Sequence, residues 1–160
     1  TLMSTSRKIY AIGGFVLTFI TAFMVVSNYN SYKHPEEITL IKASIMKAME
    51  DQRTLYGSDG MDDVYDSLEE NIETNLTEYR YKRSSLFKGI GALIALLGSV
   101  FLRRRMRVGA HLFIGGMLFS IIGTFYFHSL GLTGWSLTVM PLIFTLIVGT
   151  VVYRKRASLT

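Results

Sequence analysis

Cysteine is absent from this chain of 160 residues. Without cysteine there are no disulfides and no thiolate metal ligands, so the disulfide-stapled small modules of secreted proteins are excluded. For a chain with long apolar stretches, this composition favours a bacterial cytoplasmic membrane over a secreted eukaryotic setting. The sequence also lacks a phosphate-binding glycine loop ending in Lys-Ser or Lys-Thr, and it lacks a His-Glu-x-x-His motif. We therefore predict a non-enzymatic protein with no metal site and no cofactor.

Acidic residues are missing from most of the chain, because all twelve lie between Glu36 and Glu78. The rest consists mainly of long apolar stretches flanked by short basic clusters. An apolar stretch of about 20 residues crosses a bilayer as a helix. We therefore predict an all-α membrane protein whose four transmembrane helices cover residues 8–28, 84–102, 108–128 and 134–153. An extramembrane amphipathic helical hairpin is predicted between the first and the second of them.

Basic residues give the orientation. Of the 17 lysine and arginine residues, nine lie outside residues 33–88, at the ends of the predicted transmembrane helices. Short loops rich in Lys and Arg stay on the cytoplasmic side. We therefore expect a multi-pass protein of the cell membrane with both termini, the basic loop 103–107 and the basic tail 154–160 in the cytoplasm, and with residues 28–86 outside. The net charge of +5 then reflects orientation and does not indicate nucleic-acid binding.

The segment 33–83 has the pattern of two amphipathic helices, at 35–56 and 61–83. Proline at position 35, followed by two acids, is typical of a first helical turn. Gly57–Gly60 predicts the turn between the helices. Apolar residues recur every three or four positions in each helix and predict one shared seam. The predicted stripes are Ile38, Ile41, Ile45, Met49, Gln52 and Leu55, and Met61, Tyr65, Leu68, Ile72, Leu76 and Tyr79.

Two further expectations concern this hairpin. No glycine or proline occurs from Met61 to Lys88, so its second helix is predicted to be continuous with the second transmembrane helix. A lone pair of helices buries only one seam, so the hairpin is expected to need a partner. Met46 and Val64 flank the seam and are the predicted partner-docking residues.

Small or hydroxyl residues recur at every fourth position in each predicted transmembrane helix. Such residues let helix backbones approach one another in lipid, so the pattern predicts a tightly packed bundle. The predicted helix-packing residues are Gly14, Thr18 and Ala22; Gly91, Ala95 and Ser99; Gly116, Ser120 and Thr124; and Thr145 and Gly149, which follow Pro141 in the same register.

Charged residues are missing from the middle of the predicted transmembrane helices, although such residues usually mark ion and proton pathways. Lys8 is the first residue of one predicted helix, and Lys88 lies near the end of another, from where its amine can snorkel to the interface. A proton-coupled transporter is therefore disfavoured. His34 and His128 are both expected at the outer surface. They are either a metal-binding or pH-sensing pair, together with a neighbouring glutamate, or ordinary interfacial residues.

The basic loop is expected to contact anionic lipid head groups at the cytoplasmic face. Each base near an anionic leaflet contributes about 1 kcal/mol of attraction. The predicted lipid-contacting or anion-contacting residues are Arg103, Arg104, Arg105 and Arg107.

The function that these patterns favour is helix–helix interaction. We expect an accessory or assembly subunit of a larger membrane complex, or a homo-oligomer, whose partners are the lipid bilayer and another protein chain or a second copy. Three alternatives stay open: a membrane sensor or regulator, an immunity-like protein that blocks a pore-forming toxin, and an oligomeric channel. The channel would be lined by Thr18, Thr21, Thr138 and Thr145.

Overall fold

The computed structural model describes residues 2–56, 60–128, 131–155 and 159. Within these residues the chain forms six α-helices and no strand. The helices are α1 (Leu2–Lys33), α2 (Glu37–Tyr56), α3 (Asp62–Asn75), α4 (Glu78–Arg103), α5 (Arg107–His128) and α6 (Leu132–Arg154).

Four helices, α1, α4, α5 and α6, are long and apolar enough to cross a membrane. Their candidate membrane spans are Lys8–Lys33, Glu78–Arg103, Arg107–His128 and Thr133–Arg154. The predicted all-α fold with four such helices is therefore confirmed. The outward surfaces of these helices are covered by large apolar side chains, such as Phe19, Ile122 and Met140. A surface of this kind is unfavourable in water and natural in lipid, so the fold suggests a multi-pass membrane protein.

Helix α4 lies between α1 and α5, and α6 packs more loosely against α5. The centre of the bundle contains Phe113 and Met117 of α5, which are fully buried, with Ala95 and Leu102 of α4. We call the end of the bundle that carries Arg103–Arg107 and Arg154 the basic end. There the Tyr10 hydroxyl donates a hydrogen bond to the carbonyl oxygen of Lys155 at 3.1 Å. The first and last helices are therefore joined at that end.

The connection between α3 and α4 corrects the prediction of one continuous helix. Helix α3 ends at Asn75 and α4 begins at Glu78. Between them Thr77 has an extended backbone, and its side-chain oxygen accepts a hydrogen bond from the backbone N–H of Arg80 at 3.3 Å. A threonine in this role is a helix N-cap, which starts a new helix without any glycine or proline.

The three-residue connection between α4 and α5 is a Schellman turn. The Arg105 N–H donates to the Leu102 carbonyl at 2.8 Å, and the Met106 N–H donates to the Phe101 carbonyl at 3.0 Å. Arg105 has a φ of 63°, in the left-handed region where glycine is usual. The turn brings α4 and α5 directly together as neighbours.

The predicted hairpin with one shared apolar seam is not supported. Helices α2 and α3 meet in a small cluster of Ile38, Ile72 and Leu76. Away from it they are held by Arg53 of α2, which is 2.8 Å from Asp62 and 3.1 Å from Asp66. The side of α2 that faces α3 is rotated from the predicted apolar seam. Met46 and Arg53 lie toward α3, whereas Ile41, Ile45 and Leu55 of the predicted seam are exposed. Residues 57–59 of the predicted turn lie outside the described residues.

Candidate functional site

The closest helix contact lies between α4 and α5. At Gly116 an added Cβ would be 2.5 Å from the carbonyl oxygen of Gly91 and 2.6 Å from the backbone nitrogen of Ala95. At Gly98 it would collide with the backbone nitrogen of Phe113. Side chains larger than hydrogen cannot fit between backbones this close, so the two helices pack directly through their main chains.

The residues of this seam recur every seven positions. Gly109, Gly116 and Gly123 follow one another along α5, and Gly91 and Gly98 along α4. A seven-residue period keeps one seam facing the partner along two supercoiled helices. The predicted residues Gly91, Ala95 and Gly116 belong to this seam, whereas Gly98, Gly109 and Gly123 were not predicted. The spacing of the α5 glycines in the sequence was the signal that would have found them.

The second helix contact joins α1 and α4. Gly14 packs against the backbone of Arg103, where an added Cβ would be 2.9 Å from its Cα. The hydroxyl of Thr18 is 3.1 Å from that of Ser99, and the hydroxyl of Thr21 is 3.5 Å from it. Thr21 is fully buried, while the predicted Ala22 is only half-buried. The α1 contact thus uses position 21 in place of position 22.

The other predicted packing residues differ in how closely they contact a neighbouring helix. On α5, Ser120 and Thr124 are buried, and the Ser120 hydroxyl donates to the Lys88 carbonyl at 3.2 Å. On α6, Thr145 is buried and its hydroxyl donates to its own helix, at Pro141. A Cβ added at Gly149 would meet only the tip of Ile114, at 3.9 Å. Position 149 is therefore not a close contact between backbones.

A partly buried polar cluster, here called the polar junction, connects α3 to the bundle. It consists of Asn71, Asn75, Arg80, His128 and Thr133. The Arg80 guanidinium donates to the Asn75 side chain at 2.8 Å and to the Phe127 carbonyl at 3.0 Å. The Thr133 hydroxyl donates to the Asn71 side chain at 2.7 Å. Four helices, α3, α4, α5 and α6, therefore meet in one hydrogen-bonded group.

His128 is the most buried member of the polar junction, with no exposed surface. Its Nδ1 lies 3.0 Å from the carbonyl oxygen of Asn75. A carbonyl can only accept, so Nδ1 carries a proton and donates this hydrogen bond. The expected position of His128 at the surface is therefore wrong: the residue is interior and fixes the end of α3.

His34 lies in a different environment. Its Nδ1 is 3.0 Å from a carboxylate oxygen of Glu36, and both side chains are exposed. The Glu36 carboxylate accepts a hydrogen bond from the backbone N–H of Glu36 and another from His34, and both lower the pKa of Glu36 below its usual range. Among the residues that the structure describes, no group of three His, Cys, Asp or Glu side chains is placed to hold a metal ion.

The predicted docking residues do not share one surface. Val64 is 48% exposed on α3. Met46 is half-buried and lines a cleft of about 400 Å³ between α2 and α3, together with Met49 and Tyr65. The expected outward position of Met46 is thus wrong, because the side of α2 that faces α3 runs through Ile38, Met46 and Arg53.

Three outward apolar residues of α2 are instead members of the predicted seam, and a fourth, Leu40, is 72% exposed outside it. Ile41 is 45% exposed, Ile45 37% and Leu55 77%. With Ala48 and Gln52, also exposed, they follow a helical spacing of three and four residues along one side. We call this set the α2 stripe. It is a mostly apolar row on a helix that carries six charged residues at other positions.

The four predicted lipid-contacting arginines lie at the basic end of the bundle. Arg103, Arg104 and Arg107 are exposed, and Arg105 is half-buried. The Arg103 guanidinium carbon is 5.9 Å from the centre of the Phe15 ring on α1. The Arg107 Nε–H donates to the carbonyl oxygen of Leu159 at 3.3 Å. The arginines are thus divided between the α1 side and the α5–α6 side.

The fold and these contacts define the class of the protein as an all-helical protein with a four-helix bundle suited to a membrane. No protein-family model, no curated protein and no solved structure matches this chain.

Proposed function

We propose that this chain is a non-enzymatic assembly subunit of the cell membrane that docks a second protein chain through the α2 stripe. The observation that supports the proposal most is the exposure of Ile41, Ile45 and Leu55. Helix α2 is not among the helices suited to cross a membrane. In water, an exposed apolar row of this kind is unfavourable and marks a contact with another chain.

The polar junction supports the same role. If α2 moved freely relative to the bundle, a partner that binds it would also have to order it, and the entropy lost in that step would lower the affinity. Here α3 is fixed to α4, α5 and α6 by hydrogen bonds of Asn75 and Asn71. Arg53 in turn holds α2 to α3. A partner on α2 would therefore bind a preorganised surface that is connected to the membrane bundle.

The orientation forms part of the proposal. The arginines of the α4–α5 turn and of the end of α6 lie together at one end of the bundle, and the acidic residues all precede Tyr79 in the sequence. The positive-inside rule then gives cytoplasmic termini and puts α2 and α3 outside.

A channel lined by threonines within one chain is disfavoured by the hydroxyl contacts. Thr18, Thr21, Thr138 and Thr145 each donate to a carbonyl four residues earlier in their own helix. Of these four, Thr21 and Thr138 are fully buried. Hydroxyls used in this way stabilise helix packing and do not offer a continuous polar path.

A sensor is the second candidate function. Its support is the polar junction, because a ligand or partner that moved α3 would also move Asn75 and hence the ends of α4 and α5. Docking and sensing share the α2 stripe, and they differ in whether the partner shifts the membrane helices.

The experiment compares Ile45→Glu with Ala43→Glu. Both positions are exposed on α2, and both variants add one negative charge, but position 43 lies on the opposite side of the helix from the α2 stripe. An unpaired charge in an interface costs several kcal/mol. Ile45→Glu should therefore lose the co-purifying chain from native membranes in mild detergent, at unchanged membrane abundance, while Ala43→Glu keeps it.

The outcomes separate the alternatives. A stable heteromeric partner supports the assembly subunit, and a single-species oligomer makes the partner a second copy. Val64→Glu tests whether the docking surface extends to α3. If neither Ile45→Glu nor Val64→Glu alters any association, the docking role of α2 and α3 is wrong and the membrane helices alone carry assembly.

A further inference from the structure

A cleft of about 630 Å³ lies between α5 and α6 at the basic end of the bundle. This size falls within the range of about 300–1,000 Å³ typical of small-molecule sites. Its walls include Ala110 and Ile114 of α5 and Gly149 and Val152 of α6. The walls are almost entirely hydrocarbon, so the cleft suits an apolar occupant.

The cleft exists because the two helices do not approach closely here. Gly149 has no side chain, and a Cβ added there would meet only the Ile114 tip at 3.9 Å. Gly109 and Gly116 of the seam, by contrast, lie against the α4 backbone. The open space beside Gly149 therefore differs from the glycine contacts that close the bundle.

Basic side chains border the cleft at one end. Arg107 and His111 line it and are both exposed. No acidic residue follows Glu78 in the chain, so neither α5, α6 nor the turn before α5 supplies a carboxylate to balance Arg107. The site thus combines an apolar wall with a guanidinium that has no Asp or Glu partner among the residues that the structure describes. This combination is complementary to a molecule with a hydrocarbon chain and an anionic head.

Leu159 shows how such a molecule would be held. Its side chain is buried in the core cluster, lining the same cleft. Its carbonyl oxygen accepts the hydrogen bond from Arg107 Nε at 3.3 Å. Leu159 therefore places an apolar side chain against the hydrocarbon wall and a neighbouring oxygen acceptor on the Arg107 guanidinium.

We propose that this cleft binds an anionic phospholipid, with one acyl chain between α5 and α6 and the phosphate on the Arg107 guanidinium, in place of Leu159. Arginine is suited to this role because its planar donors match phosphate oxygens. The site is independent of the docking role of α2, because it lies at the opposite end of the bundle and uses different helices.

The first test removes charge. The full chain, purified in detergent, is titrated with phosphatidylglycerol or phosphatidylcholine, and bound lipid is counted by native mass spectrometry. Arg107→Gln should weaken phosphatidylglycerol binding about fivefold, the equivalent of about 1 kcal/mol for one base near an anionic lipid. Arg103→Gln removes the same charge on the α1 side of the bundle, outside the cleft, and should weaken phosphatidylglycerol binding less than Arg107→Gln does.

The second test fills the cleft. Gly149→Leu should displace the acyl chain, whereas Gly115→Leu adds the same side chain where nothing lies within 4 Å. Leu159→Ala should raise phosphatidylglycerol binding, because it removes the competing side chain. Circular dichroism checks that each variant keeps its helix content; if Gly149→Leu does not fold, the arginine pair decides.

Three results would overturn the proposal. The first is equal weakening by Arg107→Gln and Arg103→Gln, which would indicate general electrostatic attraction. The second is equal binding of phosphatidylcholine and phosphatidylglycerol. The third is competition by glycerol phosphate as strong as that by the intact lipid, because the cleft would then contribute nothing.

Discussion

Single glycines decide how closely the helices approach. Gly98 lies so near α5 that any side chain would overlap the backbone of Phe113 and lie 2.8 Å from the Gly109 carbonyl oxygen. Backbone atoms cannot move aside as a flexible side chain can, so the overlap must separate the helices.

We predict that Gly98→Ala destabilises the bundle by about 1–3 kcal/mol through overpacking. Gly115→Ala is the matched control, because it lies in the interior of α5 with nothing within 4 Å of the added Cβ. Both substitutions gain the same helix propensity of about 1 kcal/mol. Thermal unfolding in detergent measures the difference, and equal stability of the two variants would show that the seam is not closed at position 98.

His128 gives a second prediction at this scale. His128→Leu removes the donor to the Asn75 carbonyl, and a buried group left without its partner costs about 1–3 kcal/mol. His111→Leu should have a smaller effect, since His111 is exposed. The two variants are compared by thermal unfolding; a larger loss for His111→Leu would contradict the structural role of the polar junction.

At the scale of the elements, the ends of helices depend on local side chains. The four apolar helices could be predicted because each is a continuous apolar run whose length matches a bilayer. The start of α4 could not be found from glycine and proline alone, because the break is set by the Thr77 hydroxyl. A threonine followed by Glu78 was a sequence signal for this N-cap, since acids are favoured in the first turn.

The helix faces were harder to predict than the helices. Ile41 and Ile45 share the spacing of a core stripe with Ile38, yet Ile38 is 3% exposed and Ile45 37%. Periodicity shows that a helix has an apolar side, but which part of that side is covered depends on the angle at which a neighbour packs. The position of His128 depended in the same way on the path of α3, which the sequence pattern did not contain.

Thr77→Ala should remove the N-cap of α4 and destabilise the protein by about 1 kcal/mol. Thr77→Asp supplies another capping oxygen and should retain most of the stability. The comparison uses thermal unfolding in detergent for both variants. Equal loss in the two would mean that the capping hydrogen bond to Arg80 does not stabilise the start of α4.

At the scale of the whole molecule, the distribution of charge predicts one orientation. Because the native chain has no cysteine, single cysteines at Ser58 and Ser158 report on their own sides of the membrane. In intact cells an impermeant thiol reagent should label Ser58→Cys and leave Ser158→Cys unlabelled, as the positive-inside rule requires. Labelling of position 158 alone would invert the assignment of inside and outside.

The contact of α1 with α4 also constrains how the protein is made. Thr18 meets Ser99 across 81 residues of sequence, and ribosomes add about 5–20 residues per second. Helix α1 must therefore remain in the bilayer for roughly 4–16 seconds before its neighbour has been synthesised. During that interval the hydroxyls of Thr18 and Thr21 are not left without partners, because Thr18 donates to the Gly14 carbonyl and Thr21 to the Leu17 carbonyl, each at 2.7 Å. These hydrogen bonds within α1 thus satisfy both hydroxyls in lipid before α4 has been synthesised, and they persist in the contact between α1 and α4 of the folded bundle.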